Sequence, residues 1–148
     1  MEEFFTTDRQ LIMMKGTDFA RRGLICVEIC TRAAREGKRV AVYCSALMRT
    51  VLRFSLSGDD ALCTALSHIA YKNGGGICFV TPKNIRRVHV DVLISAVDGV
   101  GKNFFTNVLN VHAARGTKMY ILCAENDVEL SDRDGGTYAR FDLQNDSE

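Results

Sequence analysis

The sequence has no apolar run near the ~20 residues that a membrane-spanning helix requires. Its first nine residues are acidic and lack the apolar segment of a secretory signal. It also has no visible internal repeat and no low-complexity tract. These absences argue against a membrane-embedded or secreted protein. We expect an intracellular protein, cytoplasmic or nuclear, with no membrane partner, whose 148 residues form one main domain.

Histidine is scarce, and the six cysteines form no metal-binding pattern. Cys26 and Cys30 are four residues apart, which is not a C-x-x-C spacing, and the three histidines have no cysteine or histidine at ligand spacing. Cys44, Cys78 and Cys123 lie inside apolar runs. We therefore expect no metal site, and reduced, mostly buried thiols.

Charge is nearly balanced overall but unevenly distributed. The formal net charge is +1, yet residues 1–124 carry 17 bases and 10 acids, whereas residues 125–148 carry eight acids and two bases. A basic body with an acidic tail is typical of nucleic-acid contact with a competing tail, or of a tail that binds a partner. A solvated surface with a solubilising end gives the same pattern.

Short apolar runs alternate with helical patterns along the chain. The runs predict five strands, at residues 11–14, 39–44, 77–81, 88–97 and 118–124. The patterns between them predict four helices, at residues 19–36, 46–54, 60–72 and 103–115. Nearly all-apolar strands separated by helices indicate a mostly parallel sheet covered on both faces. The sequence therefore predicts a three-layer α/β sandwich over residues 1–127, followed by an acidic loop or tail over 128–148.

A strand, a glycine and a helix follow one another at residues 11–30, where a phosphate-binding loop is expected. The loop pattern is G-x-x-x-x-G-K-[ST], and residues 16–23 match it only at Gly16. Arg21 replaces the second glycine, Arg22 the lysine, and Gly23 the hydroxyl that holds magnesium. Arginine at a helix start still attracts an anion, so Gly16, Arg21 and Arg22 are candidate nucleotide-binding residues. An ordinary strand–turn–helix explains the segment equally well.

Residues 74–94 resemble the approach to the Walker B strand of superfamily 2 helicases and viral terminase large subunits. In those families a strand ending near Thr-Pro is followed by a basic loop and by Asp-Val-Leu-Ile, as at 81–82 and 91–94 here. Residues 37–44 are similar to their second strand, 103–115 to the helix after Walker B, and 122–126 to their coupling motif. The resemblance covers residues 10–127 and implies a RecA-like ATPase domain.

The chain departs from those families at the catalytic positions. In the direct register their magnesium-holding Asp and catalytic Glu fall on Ala96 and Val97, which neither bind a metal nor act as a base. Asp98 is catalytic only if the register slips. The resemblance therefore implies a degenerate, pseudo-ATPase domain acting as a structural or nucleic-acid-associated module. It further implies viral genome packaging or replication, with the virion as a second location.

A rival interpretation uses residues 96–103. This segment resembles the Asp-Gly-x-Gly-Lys-Thr loop of thymidylate-kinase-like enzymes, with Asp98, Gly99, Gly101 and Lys102 in place and Asn103 at the hydroxyl position. The resemblance implies a divergent NTPase or kinase that uses ATP and magnesium, with Lys102 on the phosphates. Only 45 residues follow Asn103, which leaves little room for a kinase's substrate site and lid.

Basic residues form the last candidate site. Lys83, Arg86 and Arg87, together with Arg21 and Arg22, are expected near the carboxyl ends of the strands, where open α/β sheets bind ligands. There they meet phosphates of a nucleotide or of a nucleic-acid backbone. Aromatic residues for base stacking are not interleaved with them, so we expect sequence-indifferent, salt-sensitive contact. A third hypothesis is a structural domain that retains only the fold and binds a protein partner or another copy of itself.

Overall fold

An eight-stranded sheet runs through the part of the chain that the structure describes. The computed structural model describes residues 1–59, 61–65, 68–98, 101–124 and 140–144, with the backbone alone at 62–65, 102–106, 140 and 144. The strands are β1 Leu11–Lys15, β2 Arg39–Cys44, β3 Ala61–Ala65, β4 His68–Tyr71, β5 Gly76–Val80, β6 Val92–Val97, β7 Lys118–Cys123 and β8 Arg140–Gln144. Their order across the sheet is β3-β4-β5-β2-β6-β7-β1-β8.

Four helices accompany the sheet in these residues. They are α1 Glu2–Thr6, α2 Phe19–Arg35, α3 Ala46–Leu56 and α4 Lys102–Ala114. None of the described helices is long and apolar enough to cross a membrane. The helices predicted around residues 19–36, 46–54 and 103–115 are thereby confirmed, with Gly37 adopting the positive φ expected just beyond the end of α2.

The predicted α/β sandwich is confirmed. All five predicted strands are present, and they pair in parallel as β5-β2-β6-β7-β1. Each face of the sheet packs into its own core, so that on β1 Ile12 and Met14 belong to one cluster and Leu11 and Met13 to the other. Helices α2 and α3 cover the first face, and α4 with the β5–β6 connection covers the second. Because side chains alternate along a strand, burial on both faces requires the nearly all-apolar runs.

The helix predicted over residues 60–72 is wrong. These residues form the antiparallel strands β3 and β4, and β4 pairs with β5 to extend the sheet. Ile69 and Tyr71 are buried while His68 is exposed, which is the two-residue alternation of a strand. Pairing against the open edge of β5 has overridden the local helical pattern, as tertiary context often does.

The opposite edge of the sheet also differs from expectation. Strand β8 lies in the segment predicted as an acidic loop or tail, and it pairs in parallel with β1 from Leu11↔Arg140 to Lys15↔Gln144. Residues 140–144 alternate polar and apolar side chains, which is the pattern of a half-buried strand, and the sequence prediction overlooked it. The boundary at residue 127 stays a prediction.

The connection between β5 and β6 carries no helix. It leaves β5 at Val80, makes turns through residues 82–87 and is anchored by Ile85, whose side chain is fully buried in the second core. Consequently β6 begins at Val92, four residues later than predicted. The strand still ends at Val97, as predicted, beside the ends of β7 and β1.

Candidate functional site

The carboxyl ends of β1, β7 and β6 are hydrogen-bonded to one another. Thr17, which follows β1, donates both its backbone N–H (3.1 Å) and its hydroxyl (3.0 Å) to the carbonyl oxygen of Cys123. Ala124, which follows β7, donates its backbone N–H to the carbonyl oxygen of Asp98 at 3.0 Å. These bonds fix the two sequence-predicted motifs at one edge of the sheet.

The connection from β1 to α2 is too short to form an open phosphate loop. Only residues 16–18 separate the two elements, and Gly16 turns the chain at φ 78°. The residues that would complete a loop are already helical, so Arg21 and Arg22 lie in the first turns of α2. The Asp18 carboxylate caps this helix by accepting the Arg21 backbone N–H at 2.7 Å. A carboxylate of the chain itself therefore lies at the N-terminus of α2, where the positive end of the helix dipole would otherwise attract an anion.

Arg22 points into the protein. Its side chain is 3% exposed, its Nη1 donates to the Thr17 carbonyl oxygen at 2.5 Å, and its Nη2 donates to Asp98 Oδ1. Its Nε is buried without a hydrogen-bond partner. The structure thus brings Arg22 and Asp98 together, and it turns both toward each other. Arg21, in contrast, is exposed.

The two positions aligned with the Walker B carboxylates end strand β6. Ala96 is buried between Cys44 of β2 and Leu122 of β7, and Val97 is the last residue of the strand. Asp98, just beyond the end of β6, is therefore the first carboxylate after these two positions, and its side chain contacts the guanidinium of Arg22. No cluster of three metal-ligating side chains occurs among the described residues.

A small cavity lies beside the Arg22–Asp98 pair. It has a volume of about 180 Å³, and its lining includes Arg22, Asp98, Tyr43 and Ser45. Ser45 uses its hydroxyl to cap α3, accepting the Met48 N–H at 3.2 Å. The cavity is smaller than the ~300–1,000 Å³ of most small-molecule sites. It accommodates a small group beside Arg22 more readily than a whole nucleotide.

The second candidate loop is only partly described. Helix α4 begins at Lys102, and Gly101 is its N-cap residue, with no side-chain cap. Gly99 and the side chain of Lys102 lie outside the described residues. A strand, a glycine-containing connection and a helix that starts at a lysine are the local order required of a phosphate loop. The nucleotide-binding assignments of Gly16, Arg21, Arg22, Gly99, Gly101 and Lys102 stay predictions.

Lys83, Arg86 and Arg87 are exposed in the β5–β6 connection. None of the three forms an ion pair within the described residues. They belong to the segment that covers the α4 face of the sheet, whereas Arg22 lies on the α2 face. Their assignment to nucleic acid also stays a prediction.

Hydrogen bonds from α4 and the residues just after it hold this basic connection in place. The imidazole Nε2 of His112 is 2.8 Å from the Ile85 carbonyl oxygen, and Arg115 donates to the Val88 carbonyl oxygen at 3.0 Å. His112 is fully buried, and its Nδ1 has no partner. Burial lowers the pKa of His112, against the opposing effect of the Ile85 hydrogen bond, and Arg115 and His89 lower that pKa further.

We expect this histidine to make stability depend on pH below about 6.5. A depressed pKa means that the unfolded chain binds the proton more readily, so stability is full above the unfolded pKa and falls as pH drops through it. One such group contributes at most about 1.4 kcal/mol per pH unit. In His112→Gln, which keeps a donor for Ile85, the melting temperature should fall less between pH 6.5 and 5. If the melting temperatures of His112→Gln and the parent chain fell equally between pH 6.5 and 5, His112 would not be the source of the pH dependence.

The cysteines with described side chains agree with the predicted reduced thiols. None of these five forms a disulfide, and Cys26, Cys30 and Cys123 are buried. Burial raises the pKa of Cys26 and of Cys30, and it raises that of Cys44 to about 11. These thiols are therefore protonated at neutral pH and unsuited to nucleophilic chemistry.

Sequence reasoning missed two parts of the site. Thr17 ties β1 to β7, and Asp18 caps α2, yet neither entered the predicted set. Asp18 followed by a helical pattern is a recognisable capping signal. The pairing of Arg22 with Asp98 had a weaker signal, namely opposite charges just beyond the ends of two parallel strands in one sheet.

Comparison with known proteins agrees with this architecture. No protein-family model matches the chain, and no curated protein matches it in sequence. Among solved structures it is similar to the large terminase of a thermophilic bacteriophage, with a TM-score of 0.67 at 13% identity in one crystal form and 0.63 at 14% in another. Each comparison covers 97% of this chain.

The chain has a terminase-like RecA fold. It spans less than half of the phage protein, 43% and 44% of that chain in the two crystal forms. At this level of identity the likeness establishes the fold alone. The terminase-like fold supports the sequence resemblance without testing whether the ATPase site works.

Proposed function

We propose that the chain is a catalytically degenerate, terminase-like ATPase domain that acts as a structural and nucleic-acid-associated module. The observation that carries this proposal is the internal pairing of Arg22 with Asp98. The residue aligned with the phosphate-binding lysine is buried and already neutralised by a carboxylate. A nucleotide phosphate would have to break that pair and open a helix that Asp18 caps.

The missing carboxylates support the same conclusion. Hydrolysis in this class needs one carboxylate to hold magnesium and another to activate water, and Ala96 and Val97 provide neither. Loss of one preorganised group at such a site costs about 3–4 kcal/mol, or 10²–10³ in rate. With both carboxylates and the magnesium-binding hydroxyl replaced, no useful turnover is expected.

The nucleic-acid part of the proposal rests on the basic connection. Lys83, Arg86 and Arg87 are exposed and lie near one another in sequence on a segment held by Ile85, His112 and Arg115. Fixed cations without internal acidic partners are suited to phosphates, and a rigid support reduces the entropy lost on binding. Packaging or replication of a viral genome is the setting we propose, by analogy with the bacteriophage terminase.

Salt dependence tests the nucleic-acid role. The Arg86→Ala/Arg87→Ala variant should bind a 30-base-pair duplex more weakly, and its slope of log K against log[salt] should be shallower by roughly 2. Fluorescence anisotropy between 50 and 200 mM salt measures both quantities. Arg9→Ala/Lys72→Ala removes the same charge elsewhere and should change the slope less. If Arg86→Ala/Arg87→Ala and Arg9→Ala/Lys72→Ala had identical salt slopes, the proposed interface at residues 83–87 would be excluded.

A second candidate function is nucleotide binding at the start of α4. The observation that favours it is the N-cap at Gly101 followed directly by Lys102, because open N–H groups and a lysine are what a phosphate requires. In this case Asp98 and Lys102 serve a divergent NTPase that uses ATP and magnesium. Lys102→Ala should then abolish nucleotide binding, and unchanged binding in that variant excludes this site.

A further inference from the structure

A cavity larger than the one beside Arg22 lies at the amino-terminal ends of β2 and β5. Its volume is about 470 Å³, within the ~300–1,000 Å³ of most small-molecule sites. Arg39 and Gly76, which line it, begin β2 and β5, whereas Asp98 follows the end of β6, so the two cavities are at opposite edges of the sheet. We call the larger one the β4–β5 pocket, because most of its lining comes from these two strands and the turn between them.

The β4–β5 pocket is on the second face of the sheet. Ile69 of β4 belongs to the first core, so its neighbours His68 and Ala70 face the other way. Cys78 of β5 and Val88 of the β5–β6 connection pack against the second core. The two strands therefore provide the floor of the pocket, and the β5–β6 connection provides a wall.

Small residues make up much of this floor. Ala70 pairs with Gly76 across β4 and β5, and Gly74 and Gly75 of the turn also line the pocket. A Cβ built on Gly76 would lie 3.3 Å from His68 Nε2, so the imidazole lies close to backbone that carries no side chain. A flat ring can therefore approach the strands beside an imidazole.

The charges around the pocket are positive. No acidic side chain is among the described residues that line it, and residues 68–90 contain four lysines and arginines and no acid. Arg39 is partly neutralised, because Asp91 accepts its backbone N–H at 2.8 Å and lies 3.9 Å from its Nε. The exposed cations Lys83, Arg86 and Arg87 are on the connection that forms the wall. This distribution favours a ligand with an uncharged body and a negative charge outside the pocket.

A short stretch of chain joins these cations to the pocket. Val88 and His89 line the pocket and directly follow Arg87, and the span from Arg87 to His89 is at most about 7 Å. A nucleotide combines a flat base with a phosphate one sugar away. We propose that the β4–β5 pocket holds one unstacked base of a single-stranded nucleic acid whose phosphates contact Lys83, Arg86 and Arg87. This inference rests on the proposed nucleic-acid function and specifies the form of nucleic acid that is bound.

Several cations beside one base pocket favour a strand over other nucleotides. A free mononucleotide brings one phosphate group to three cations, whereas a strand brings a phosphate for each. A duplex base must first be unstacked and unpaired, but a single-stranded base is available to stack on histidine as well as on larger aromatic side chains. His68 belongs to β4, which the sequence predicts as a helix, so only the fold brings this ring to the basic connection.

Two half-buried cysteines test the proposal on the unaltered chain. Cys78 lines the β4–β5 pocket, whereas Cys44 lines the cavity beside Arg22. Burial raises the pKa of both thiols, so N-ethylmaleimide should modify both slowly in the free protein. Saturating dT20 should slow the modification of Cys78 about fivefold or more and leave Cys44 unchanged, as followed by peptide mass spectrometry. A 20-base-pair duplex should slow neither.

Variants of β4 test the same pocket by affinity. Ala70→Leu fills the space opposite Gly76, and it should weaken dT20 on the order of tenfold in fluorescence anisotropy while duplex binding stays the same. Ala70→Ser keeps the space and should bind both ligands as the parent chain does. His68→Ala removes the imidazole and should weaken dT20 about fivefold or more. Circular dichroism checks that each variant is folded.

Contrary results are equally specific. If dT20 binds but leaves Cys78 modification unchanged, the proposal is overturned, and so it is if an abasic 20-mer binds as tightly as dT20. Equal protection of Cys78 by millimolar dTMP would assign the pocket to a free nucleotide instead. In each of these cases duplex binding that depends on Arg86 and Arg87 would survive, and with it the proposed function. Absence of both duplex and single-strand binding would overturn the proposed function as well.

Discussion

Gly75→Ala is expected to destabilise the chain by about 3 kcal/mol or more. A Cβ at this position would collide with the carbonyl oxygen of Ala34 and lie 2.9 Å from its carbonyl carbon. Both atoms are backbone near the end of α2, so neither can turn aside as a flexible side chain would. For a chain of this size the melting temperature should fall by roughly 6–12 °C.

Gly58→Ala is the matched control for this prediction. A Cβ on Gly58 meets nothing within 4 Å, and Gly58 is not among the glycines with positive φ. Its melting temperature should therefore stay close to that of the parent chain, or rise slightly. Thermal unfolding followed by circular dichroism measures both variants. If Gly75→Ala had the same melting temperature as Gly58→Ala, α2 would not approach the β4–β5 turn this closely.

Asp98→Ala should destabilise the chain by about 2 kcal/mol, since it leaves the Arg22 charge buried with only a carbonyl partner. The expected loss is below the ~3–5 kcal/mol of a fully buried pair because the Asp98 side chain is 89% exposed. Arg22→Met removes the buried charge itself and keeps most of the apolar contact. Arg22→Met should therefore lower the free energy of unfolding clearly less than Asp98→Ala does. Counting only the atoms that each substitution removes from buried positions would predict the opposite order, because Arg22 is the buried side chain of the pair.

Denaturant unfolding of three variants decides this prediction. Asp8→Ala removes another exposed carboxylate, one for which no described hydrogen bond is present, and should have little effect. If Asp98→Ala unfolds at the same denaturant concentration as Asp8→Ala, the Arg22–Asp98 pair contributes nothing to stability. Asp98 would then not be the group that holds Arg22 away from phosphates.

The central sheet is the part of the fold that the sequence predicts well. Strands such as β1 and β7 are buried on both faces, and burial of that kind leaves an uninterrupted apolar run that is easy to recognise. The edges are harder, because an edge strand is specified largely by its neighbour. Residues 68–71 are a strand because β5 offers them an open edge, and residues 140–144 because β1 does. Neither neighbour is visible in a local pattern.

The candidate site is predictable by position more than by contact. Parallel topology brings Gly16 and Asp98 to the same edge of the sheet, as their places after β1 and β6 predict. The direction of the Arg22 side chain is not predictable in this way. It depends on helix α2 beginning at Phe19, which Asp18 determines through its cap. The cap at Asp18 therefore contributes to the helix phase that turns Arg22 inward and leaves Arg21 exposed.

Calorimetric titration of the full chain with Mg-ATP, repeated with ATP in EDTA, decides whether the ATPase site is degenerate. We expect no measurable heat of binding up to millimolar nucleotide in either titration, because Arg22 is paired with Asp98 and the positions aligned with the magnesium-binding side chains hold Gly23 and Ala96. Micromolar, magnesium-dependent binding would contradict the degenerate ATPase. If Lys102→Ala abolished that binding, the start of α4 would be the nucleotide site. If Lys102→Ala left it intact, the Arg22–Asp98 pair must open to admit phosphate.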